Sequence, residues 1–323
     1  MGRKALCVGI DCYEHIQDLY GCVNDANSVR SVLERNGDST INFEVELMCA
    51  TSEKTYITRR ELKDSITALF QGDPEIALFY YSGHGSFTST GGYLCTSEVE
   101  RTDEGMSLSD LMTIASKSHA KNKVIILDSC FSGLVGTNIS FPGFSEISEG
   151  TTILAACGKD EYATEENGHG IFTELLVEAL YGGAMNLLGD VSPGSIYSYV
   201  DQALGSWGQR PMFKANISSF VSLRKNMPPI EHVLLLQLAD IFSDPAQEYP
   251  LNPSYEPNKN EIENKSHDYE HERIFKILQK YERLHLVVPV GEDHMYYAAI
   301  HNKSCKLTAK GQHYWNLVHD KKI

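Results

Sequence analysis

The sequence has few basic residues for its length, and this deficit limits what the protein can bind. Its 323 residues include 28 lysines and arginines against 43 aspartates and glutamates, a formal net charge of -15. A protein whose whole surface serves nucleic acid needs the opposite balance, because phosphates are neutralised by lysine and arginine. The composition therefore argues against a general nucleic-acid binder, although it leaves room for a local basic face.

Long hydrophobic runs are also lacking. No stretch of about 18 apolar residues exists, so the sequence predicts no transmembrane helix. The apolar run at residues 5–10 is too short for the core of a secretory signal, and Leu6 breaks the myristoylation pattern that Gly2 suggests. We therefore expect a cytoplasmic protein without a membrane partner.

The cysteines are scattered and form no metal-binding pattern. There are 8 of them, without a C-x-x-C pair and without the cysteine and histidine spacing of a zinc site. Several fall inside predicted strands, where a free thiol behaves as a small apolar side chain. We expect buried free thiols in a reducing compartment.

Apolar runs and helical patterns alternate along the first two thirds of the chain. Short apolar runs bounded by turn residues are typical of buried parallel strands, and the segments between them have the spacing of amphipathic helices. The alternation predicts an α/β fold with a mostly parallel sheet flanked by helices. We expect its last strand at residues 218–223, and a first helix capped by Asn24 or Asp25.

Two of the predicted strands end on residues that carry chemistry. The apolar run at 75–81 leads to His84, which is framed by glycines, and the run at 123–127 leads to Cys130. Open α/β sheets keep their active sites at the carboxyl ends of the strands. If the two strands are neighbours, His84 and Cys130 face each other across that edge.

A cysteine and a histidine at one edge can cleave an amide. His84 takes the thiol proton, the thiolate of Cys130 attacks the carbonyl carbon, and the imidazolium returns the proton to the leaving amine. The backbone amides of Gly85 and Cys130 are the candidate oxyanion hole, worth roughly 3 kcal/mol per donor where it has been measured in other enzymes. Taken alone, such a cysteine is more often part of a core and such a histidine part of a turn. Together they favour catalysis.

Five segments can be compared with known families: Gly-Cys-Val-Asn-Asp-Ala at 21–26, Tyr-Tyr-Ser-Gly-His-Gly at 80–85, Asp-Ser-Cys-Phe-Ser-Gly at 128–133, Ala-Thr-Glu at 163–165 and Gly-Ile-Phe-Thr at 170–173. These motifs resemble those of the caspase-like cysteine peptidases, and within them the metacaspases and bacterial orthocaspases. The resemblance covers roughly residues 1–225. It implies a caspase-like fold and a thiol protease with His84 and Cys130 as catalytic residues. For a bacterial protein of this layout it also implies a role in stress, cell-death or antiphage signalling.

The resemblance also implies a pocket for the P1 side chain, the substrate residue before the scissile bond. Metacaspases line it with positions held here by Cys22, Asp25, Ser82 and Asp128. Two neighbouring carboxylates repel each other, and a substrate cation relieves that repulsion. An arginine forms charge-assisted hydrogen bonds worth about 1.5–3 kcal/mol each. We therefore expect cleavage after Arg, and less well after Lys; for Asp25, a role as helix cap is the alternative.

Basic residues are absent from the loop at 133–150, so an enzyme specific for them cannot cut itself there. The catalytic domain should remain one chain. Basic sites near the end of that domain and beyond it are Arg224, Lys225, Lys259 and Lys265. Self-cleavage at these sites would release the C-terminal domain.

An acidic run follows the histidine strand. Several metacaspases need calcium held by acidic groups in a comparable region, which here contains Glu98, Glu100, Asp103 and Glu104. An exposed acidic run is usually solvated surface. We expect no cofactor, with calcium as the alternative that the resemblance leaves open.

The composition changes after the peptidase region. We predict a caspase-like domain at 1–225, a helix and flexible linker at 226–271, and a winged-helix-like domain at 272–323. The linker prediction rests on four prolines and many polar residues between Asp244 and His267. The last segment shows a helix, a strand, a turn at 291–293, a strand at 295–300 and a final helix.

Two uses of the C-terminal domain remain open. Residues 272–323 hold more basic than acidic side chains, so contact with nucleic acid is one interpretation. Because the chain as a whole is acidic, docking of a regulatory protein or autoinhibition is favoured. For the whole protein, the alternative to a peptidase is a non-catalytic interaction scaffold of caspase-like fold, against which the presence of His84, Gly85 and Cys130 together argues.

Overall fold

The computed structural model describes residues 2–100, 105–129, 147–156, 165–166, 169–205, 210–256 and 268–323. The chain divides into two compact units, 1–227 and 228–323.

The first unit is built of alternating strands and helices. Its strands are β1 (Arg3–Ile10), β2 (Glu44–Ala50), β3 (Ile76–Ser82), β4 (Gly85–Thr88), β5 (Gly91–Leu94), β6 (Met106–Ser107), β7 (Asn122–Asp128), β8 (Thr151–Ala155), β9 (Glu165–Glu166), β10 (His169–Gly170), β11 (Asp190–Val191), β12 (Met212–Asn216) and β13 (Arg224–Lys225). Its helices are α1 (Cys22–Glu34), α2 (Arg59–Leu69), α3 (Leu108–Ser116), α4 (Ile171–Glu178) and α5 (Pro193–Leu204), with a 3-10 turn at Glu53–Thr55 and a π turn at Ala179–Gly183.

Six strands form the central sheet, in the order β12-β8-β7-β3-β1-β2. All neighbours are parallel except β12, which runs antiparallel to β8. The predicted α/β fold with a mostly parallel, helix-flanked sheet is confirmed. Strands β4, β5 and β6 form a small antiparallel sheet of their own, directly after the strand that leads to His84.

The sheet is covered on both faces because successive side chains of a strand point in opposite directions. Leu6 and Phe79 belong to one apolar cluster together with residues of α2 and α3. Their sequence neighbours Cys7 and Tyr80 belong to a second cluster with residues of α1, α4 and α5. Strands buried on both sides explain the continuous apolar runs of the sequence.

The carboxyl ends of β1, β3 and β7 meet at one edge, which we call the rim. Gly9 is paired with Ser82, and Ser82 with Asp128, so the last residues of these strands lie side by side. The main chain is joined there as well, since the N–H of Gly83 donates to the carbonyl oxygen of Asp128 at 3.3 Å. The prediction that the strands leading to His84 and Cys130 are neighbours in the sheet is therefore confirmed.

Two local predictions for the first unit are wrong. The last strand of the sheet is Met212–Asn216, not 218–223; it is a half-exposed edge strand whose weak apolar pattern hides it in the sequence. Helix α1 begins at Cys22, so Asp25 lies inside its first turn and is not the cap. The carboxylate of Asp11 instead accepts hydrogen bonds from the N–H groups of Cys22 (2.9 Å) and Val23 (3.3 Å).

The second unit contains helices and one small antiparallel sheet. Its sheet has the order β14-β16-β15, and Trp315 donates its indole N–H to the carbonyl oxygen of Phe242 at 2.7 Å in the core. Its elements are α6 (His232–Leu236), α7 (Leu238–Ile241), β14 (Glu248–Pro250), a 3-10 turn at Pro253–Tyr255, α8 (Tyr269–Arg283), β15 (Val287–Val290), α9 (Met295–Ile300), β16 (Ser304–Leu307) and α10 (Ala309–His319).

The segment predicted as the second strand of a wing is a helix. Met295, Ala298 and Ala299 are the buried residues of α9, and their i, i+3, i+4 spacing is that of a helix face. Strands β15 and β16 do pair antiparallel, but this helix joins them instead of a tight turn. The winged-helix prediction is therefore not confirmed, and the docking of a regulatory protein or nucleic acid on this unit stays a prediction.

Part of the predicted linker is ordered structure. Strand β14 pairs with β16, and Tyr255 is buried with its ring stacked on His271 at a centroid distance of 4.1 Å. Residues 228–256 thus belong to the second unit, because apolar side chains spaced between the prolines find partners there. Residues 257–267 of the predicted linker lie outside the described residues, and its last residues, 269–271, belong to α8.

Nowhere in the described ranges is there a helix with the length and apolarity needed to cross a membrane.

Candidate active site

His84 is held at the rim by a main-chain oxygen. Its Nε2 lies 2.8 Å from the carbonyl oxygen of Gln17, in the segment between β1 and α1. A carbonyl oxygen only accepts, so Nε2 carries the proton in the neutral imidazole. The lone pair that can act as a base is then on Nδ1.

Two buried tyrosines fix the backbone of His84. The hydroxyl of Tyr13 accepts a hydrogen bond from the His84 N–H at 2.8 Å, and its ring lies 4.9 Å from the imidazole. The Tyr81 hydroxyl lies 2.9 Å from the carbonyl oxygen of His84 and 2.7 Å from that of Cys95, and its single proton is shared between them. A Cβ at Gly83 would lie 2.6 Å from the Tyr81 oxygen and 2.8 Å from the Tyr13 oxygen. Only glycine leaves room for this arrangement.

The segment 11–21 joins the histidine to helix α1. The N–H of Leu19 donates to the carbonyl oxygen of Asp11 at 2.8 Å, while the Asp11 carboxylate binds the first amides of α1. Burial raises the pKa of Asp11, and the hydrogen bonds from the Val23 and Cys22 amides oppose that shift. Asp11 thus supports both the segment that contains Gln17 and the start of helix α1, which carries Asp25.

Two carboxylates face the same small space beside the rim. Asp25 is 1% exposed and Asp128 is 6% exposed. A Cβ at Gly170 would lie 2.4 Å from Asp128 Oδ2 and 3.2 Å from Asp25 Oδ2, so both acids border this glycine. The Oδ2 of Asp25 accepts hydrogen bonds from the Gly170 N–H (3.1 Å) and the Ser82 hydroxyl (3.3 Å).

A chain of hydroxyl groups supports the second carboxylate. Thr173 donates its hydroxyl to Asp128 Oδ2 at 2.7 Å, and the Tyr80 hydroxyl lies 2.6 Å from the same threonine oxygen. Because the single proton of Thr173 points to Asp128, Tyr80 is the donor in the second bond. Burial, and then the charges of Asp25 and Asp128, raise the pKa of Tyr80 well above its ordinary value, so it stays a donor.

The sequence of the first unit is similar to that of known proteins. Residues 2–227 match the caspase domain, a peptidase family. The chain belongs to this family. Its sequence is 33% identical over 105 residues to metacaspase-1 of Schizosaccharomyces pombe, covering 32% of this chain and 24% of that protein. It is 36% identical over 89 residues to metacaspase-1 of Cryptococcus neoformans, covering 27% of this chain and 20% of the relative. The matched segments thus span about a quarter or less of these relatives.

Solved structures share the fold of the caspase domain. A protein from Geobacter sulfurreducens has a TM-score of 0.52 at 18% identity, over 71% of this chain and 98% of that chain. Caspase-1 from Spodoptera frugiperda has a TM-score of 0.51 at 15% identity, over 70% of this chain and 91% of that chain. These structures confirm the predicted caspase-like fold of the first unit, and the match over residues 2–227 confirms the predicted caspase family.

The other predicted site residues of the caspase domain are placed as follows. Gly85 opens β4, directly after His84, and is paired with Leu94. Cys22 is the first residue of α1 and is buried. Cys130 lies outside the described residues; the chain before it is described as far as Ser129, which is buried. The roles of all these residues stay predictions.

The acidic run after the histidine strand is only partly described. Glu98 accepts a hydrogen bond from the N–H of Arg59 at 2.9 Å, and Glu100 lies 3.6 Å from His15. Asp103 and Glu104 lie outside the described residues. In the part of the caspase domain that the structure describes, no group of three or more His, Cys, Asp or Glu side chains is arranged to hold a metal ion. A calcium site stays a prediction.

Sequence reasoning missed several residues that build the site. Gln17 acts through its main chain, so its identity gives no signal. Gly170 and Thr173 stood in a motif that supported the resemblance, but no role followed from the motif itself. The signal for Tyr13 is weak, because a tyrosine in a polar loop is common and only the fold brings it to His84.

Proposed function

We propose that the protein is a cysteine endopeptidase that cleaves after arginine, and less well after lysine. The observation that carries the proposal is the pair of buried carboxylates, Asp25 and Asp128, that border one space across Gly170. They lie beside Ser82, at the end of the strand that leads to His84. A basic P1 side chain would bring a positive charge to these two acids.

The charges explain the order of preference. Two buried carboxylates close together repel each other in a medium of low dielectric constant, which is costly. A guanidinium is planar and donates through several N–H groups, so it can bridge two acids, whereas an ammonium acts as a point charge. An aspartate at P1 would add a third negative charge. The expected order is therefore arginine, then lysine, with aspartate excluded.

The catalytic step uses the tautomer that the structure sets. Nε2–H of His84 donates to Gln17, so Nδ1 accepts the proton of the Cys130 thiol as its sulfur attacks the scissile carbonyl. The imidazolium formed donates from both nitrogens, and the Gln17 carbonyl stabilises its charge. It then protonates the leaving amine. Water, deprotonated by the same Nδ1, hydrolyses the thioester and frees the thiol.

A reporter assay tests the proposal. Three fluorogenic peptides that differ only at P1, with Arg, Lys or Asp, are incubated with the full chain and with Cys130→Ala as control. We expect the largest kcat/KM for Arg, a lower value for Lys and no cleavage after Asp. No cleavage of any peptide by the unaltered chain, or a preference for Asp, would overturn the proposal.

A further inference from the structure

Strand β4 begins directly after His84 and is an outer strand of its small sheet. The order of that sheet is β4-β5-β6, so β4 is paired on one side only in the part of the chain that the structure describes. Its first residue is Gly85, the candidate donor of the oxyanion hole, and it ends at Thr88. An outer strand presents main-chain N–H and C=O groups to which a further strand can add.

The register shows which residues of β4 turn their main chain outward. Gly85 is paired with Leu94, so the preceding pair is His84 with Cys95, and there the N–H of Cys95 donates to the His84 carbonyl oxygen at 2.9 Å. Hydrogen-bonded and non-hydrogen-bonded pairs alternate along an antiparallel ladder. The ladder bonds therefore skip Gly85 and Phe87, whose N–H and C=O groups point away from β5. Within the described ranges no other hydrogen bond engages these four groups.

The sequence of β4 lacks the residues that usually protect an outer strand. Charged side chains and proline prevent an outer strand from pairing with another chain. The other described outer strands of three or more residues contain them, since β2 has Glu44 and Glu46, β12 has Lys214, and β14 and β15 each include a proline. Strand β4 reads Gly-Ser-Phe-Thr, and the Phe87 side chain is 45% exposed. Of these outer strands, β4 is thus the one whose sequence does not oppose pairing.

The proposed P1 pocket and β4 lie on opposite sides of the central sheet. Leu94 of β5 packs into the apolar cluster that contains α2 and α3. Ala26, which follows Asp25 in α1, packs into the cluster on the other face. A substrate whose P1 side chain reaches Asp25, and whose scissile carbonyl lies at the Gly85 N–H, therefore meets β4 with the residues that follow the scissile bond, P1′, P2′ and P3′.

We propose that β4 binds the substrate main chain after the scissile bond, as an added strand that runs parallel to β4 and away from the rim. This binding mode rests on the proposed peptidase function. In a parallel ladder, the P2′ N–H donates to the Gly85 carbonyl oxygen and the P2′ carbonyl oxygen accepts from the Phe87 N–H. The Gly85 N–H stays free for the scissile carbonyl. The partner is thus an extended polypeptide, recognised through its backbone for at least two residues beyond P1.

Backbone-methylated peptides test this binding mode on the unaltered full chain. The parent is a quenched fluorogenic peptide with Arg at P1 and four residues after it. One derivative carries an N-methyl group at P2′, which removes the donor to Gly85, and the matched control carries it at P3′, whose N–H faces away from β4. We expect kcat/KM to fall at least about tenfold for the P2′ derivative and less than about threefold for the P3′ derivative.

The outcomes separate this binding mode from the peptidase function. If the parent is cleaved and the P2′ derivative loses no more than the P3′ derivative, β4 does not bind the substrate, while the proposed function stands. If the parent is not cleaved, the proposed function is wrong, and the binding mode fails with it.

A pair of variants tests the protein side of the same bond. Phe87→Pro removes the outward N–H, and an outer strand tolerates proline where that group faces away from its neighbour. Phe87→Ala removes the ring and keeps the N–H. The measured quantity is the ratio of kcat/KM for the parent peptide to kcat/KM for an arginyl peptide that ends in a dye after P1. We expect this ratio to be at least about fivefold lower in Phe87→Pro than in Phe87→Ala.

Equal ratios in the two variants would contradict the proposal. If, in addition, the unaltered chain is a dimer that Phe87→Pro dissociates, the edge belongs to a second copy of the chain and not to the substrate. If Phe87→Pro does not fold, the methylated peptides decide alone, because they use the unaltered protein.

Discussion

The imidazole Nε2 of His84 lies 2.8 Å from the main-chain oxygen of Gln17. This contact sets the tautomer of the ring without any contribution from the Gln17 side chain. The position of the carbonyl depends on the segment 11–21, which is fixed at its start by the bonds that Asp11 makes to Cys22 and Leu19. The proposed base is therefore oriented by the path of the chain.

The first prediction concerns Gly83. A methyl group there would collide with the hydroxyl oxygens of Tyr81 and Tyr13, which hold the two sides of the His84 backbone. We expect Gly83→Ala to lower kcat for the arginyl peptide at least about tenfold, because small displacements of a catalytic group are expensive. Gly2→Ala is the matched control, since its Cβ would meet nothing within 4 Å. Unchanged kcat in a folded Gly83→Ala protein would show that this packing does not position the base.

The second prediction concerns Gly170. Its φ of -70° suits any residue, so an alanine there differs only by the space that its methyl group takes. That methyl would lie 2.4 Å from Asp128 Oδ2, which forces the carboxylate to move. We expect Gly170→Ala to reduce kcat/KM for the arginyl peptide at least about tenfold, with the larger part in KM, because two charge-assisted bonds are disturbed. A loss confined to kcat would contradict a role of this space in binding P1.

The third prediction concerns the hydroxyl chain from Tyr80 to Asp128. Thr173→Val keeps the shape but leaves the buried Tyr80 hydroxyl without its acceptor. We expect a loss of about 1–3 kcal/mol in the free energy of unfolding, measured by urea denaturation. Tyr80→Phe should recover part of it in the double variant, so that the two losses are not additive. Thr113→Val, on the exposed face of α3, is the control and should change stability by less than about 0.5 kcal/mol. Strict additivity would mean that the chain of bonds is not coupled.

The fourth prediction concerns self-cleavage, which we expect to spare Arg224. This residue is 7% exposed, and its guanidinium donates to the carbonyl oxygens of Arg35 (2.9 Å) and Leu180 (3.1 Å). Its main chain is paired in β13, so it cannot enter an active site without local unfolding. If the protein cuts itself, we expect ends at Lys259 or Lys265, read by intact mass spectrometry and absent from Cys130→Ala. A fragment ending at Arg224 would contradict this protection.

Particular residues show how far the sequence was sufficient. The strands that lead to His84 and Cys130 follow from the sequence because their residues are apolar without interruption. This pattern is typical of a strand in a sheet that helices cover on both faces. Asp25 was predicted for the pocket by resemblance, yet its alternative as a helix cap was excluded only by the start of α1 at Cys22. The run at 295–300 was mistaken for a strand, because six apolar and aromatic residues fit either structure until their partners are known.

By itself, the sequence determined the alternation of strands and helices, the two strands that lead to His84 and Cys130, and the excess of acidic over basic residues. These are properties of local order along the chain, which hydrophobic periodicity records directly. Tertiary structure alone decided that Gln17 meets His84 and that Gly170 borders both carboxylates. Such contacts join residues far apart in the sequence, and they depend on backbone atoms, as at Gln17, or on the space that a glycine leaves, as at Gly170. The order of amino acids does not show them directly, because these residues come close together only when the sheet has formed and its loops have packed against it.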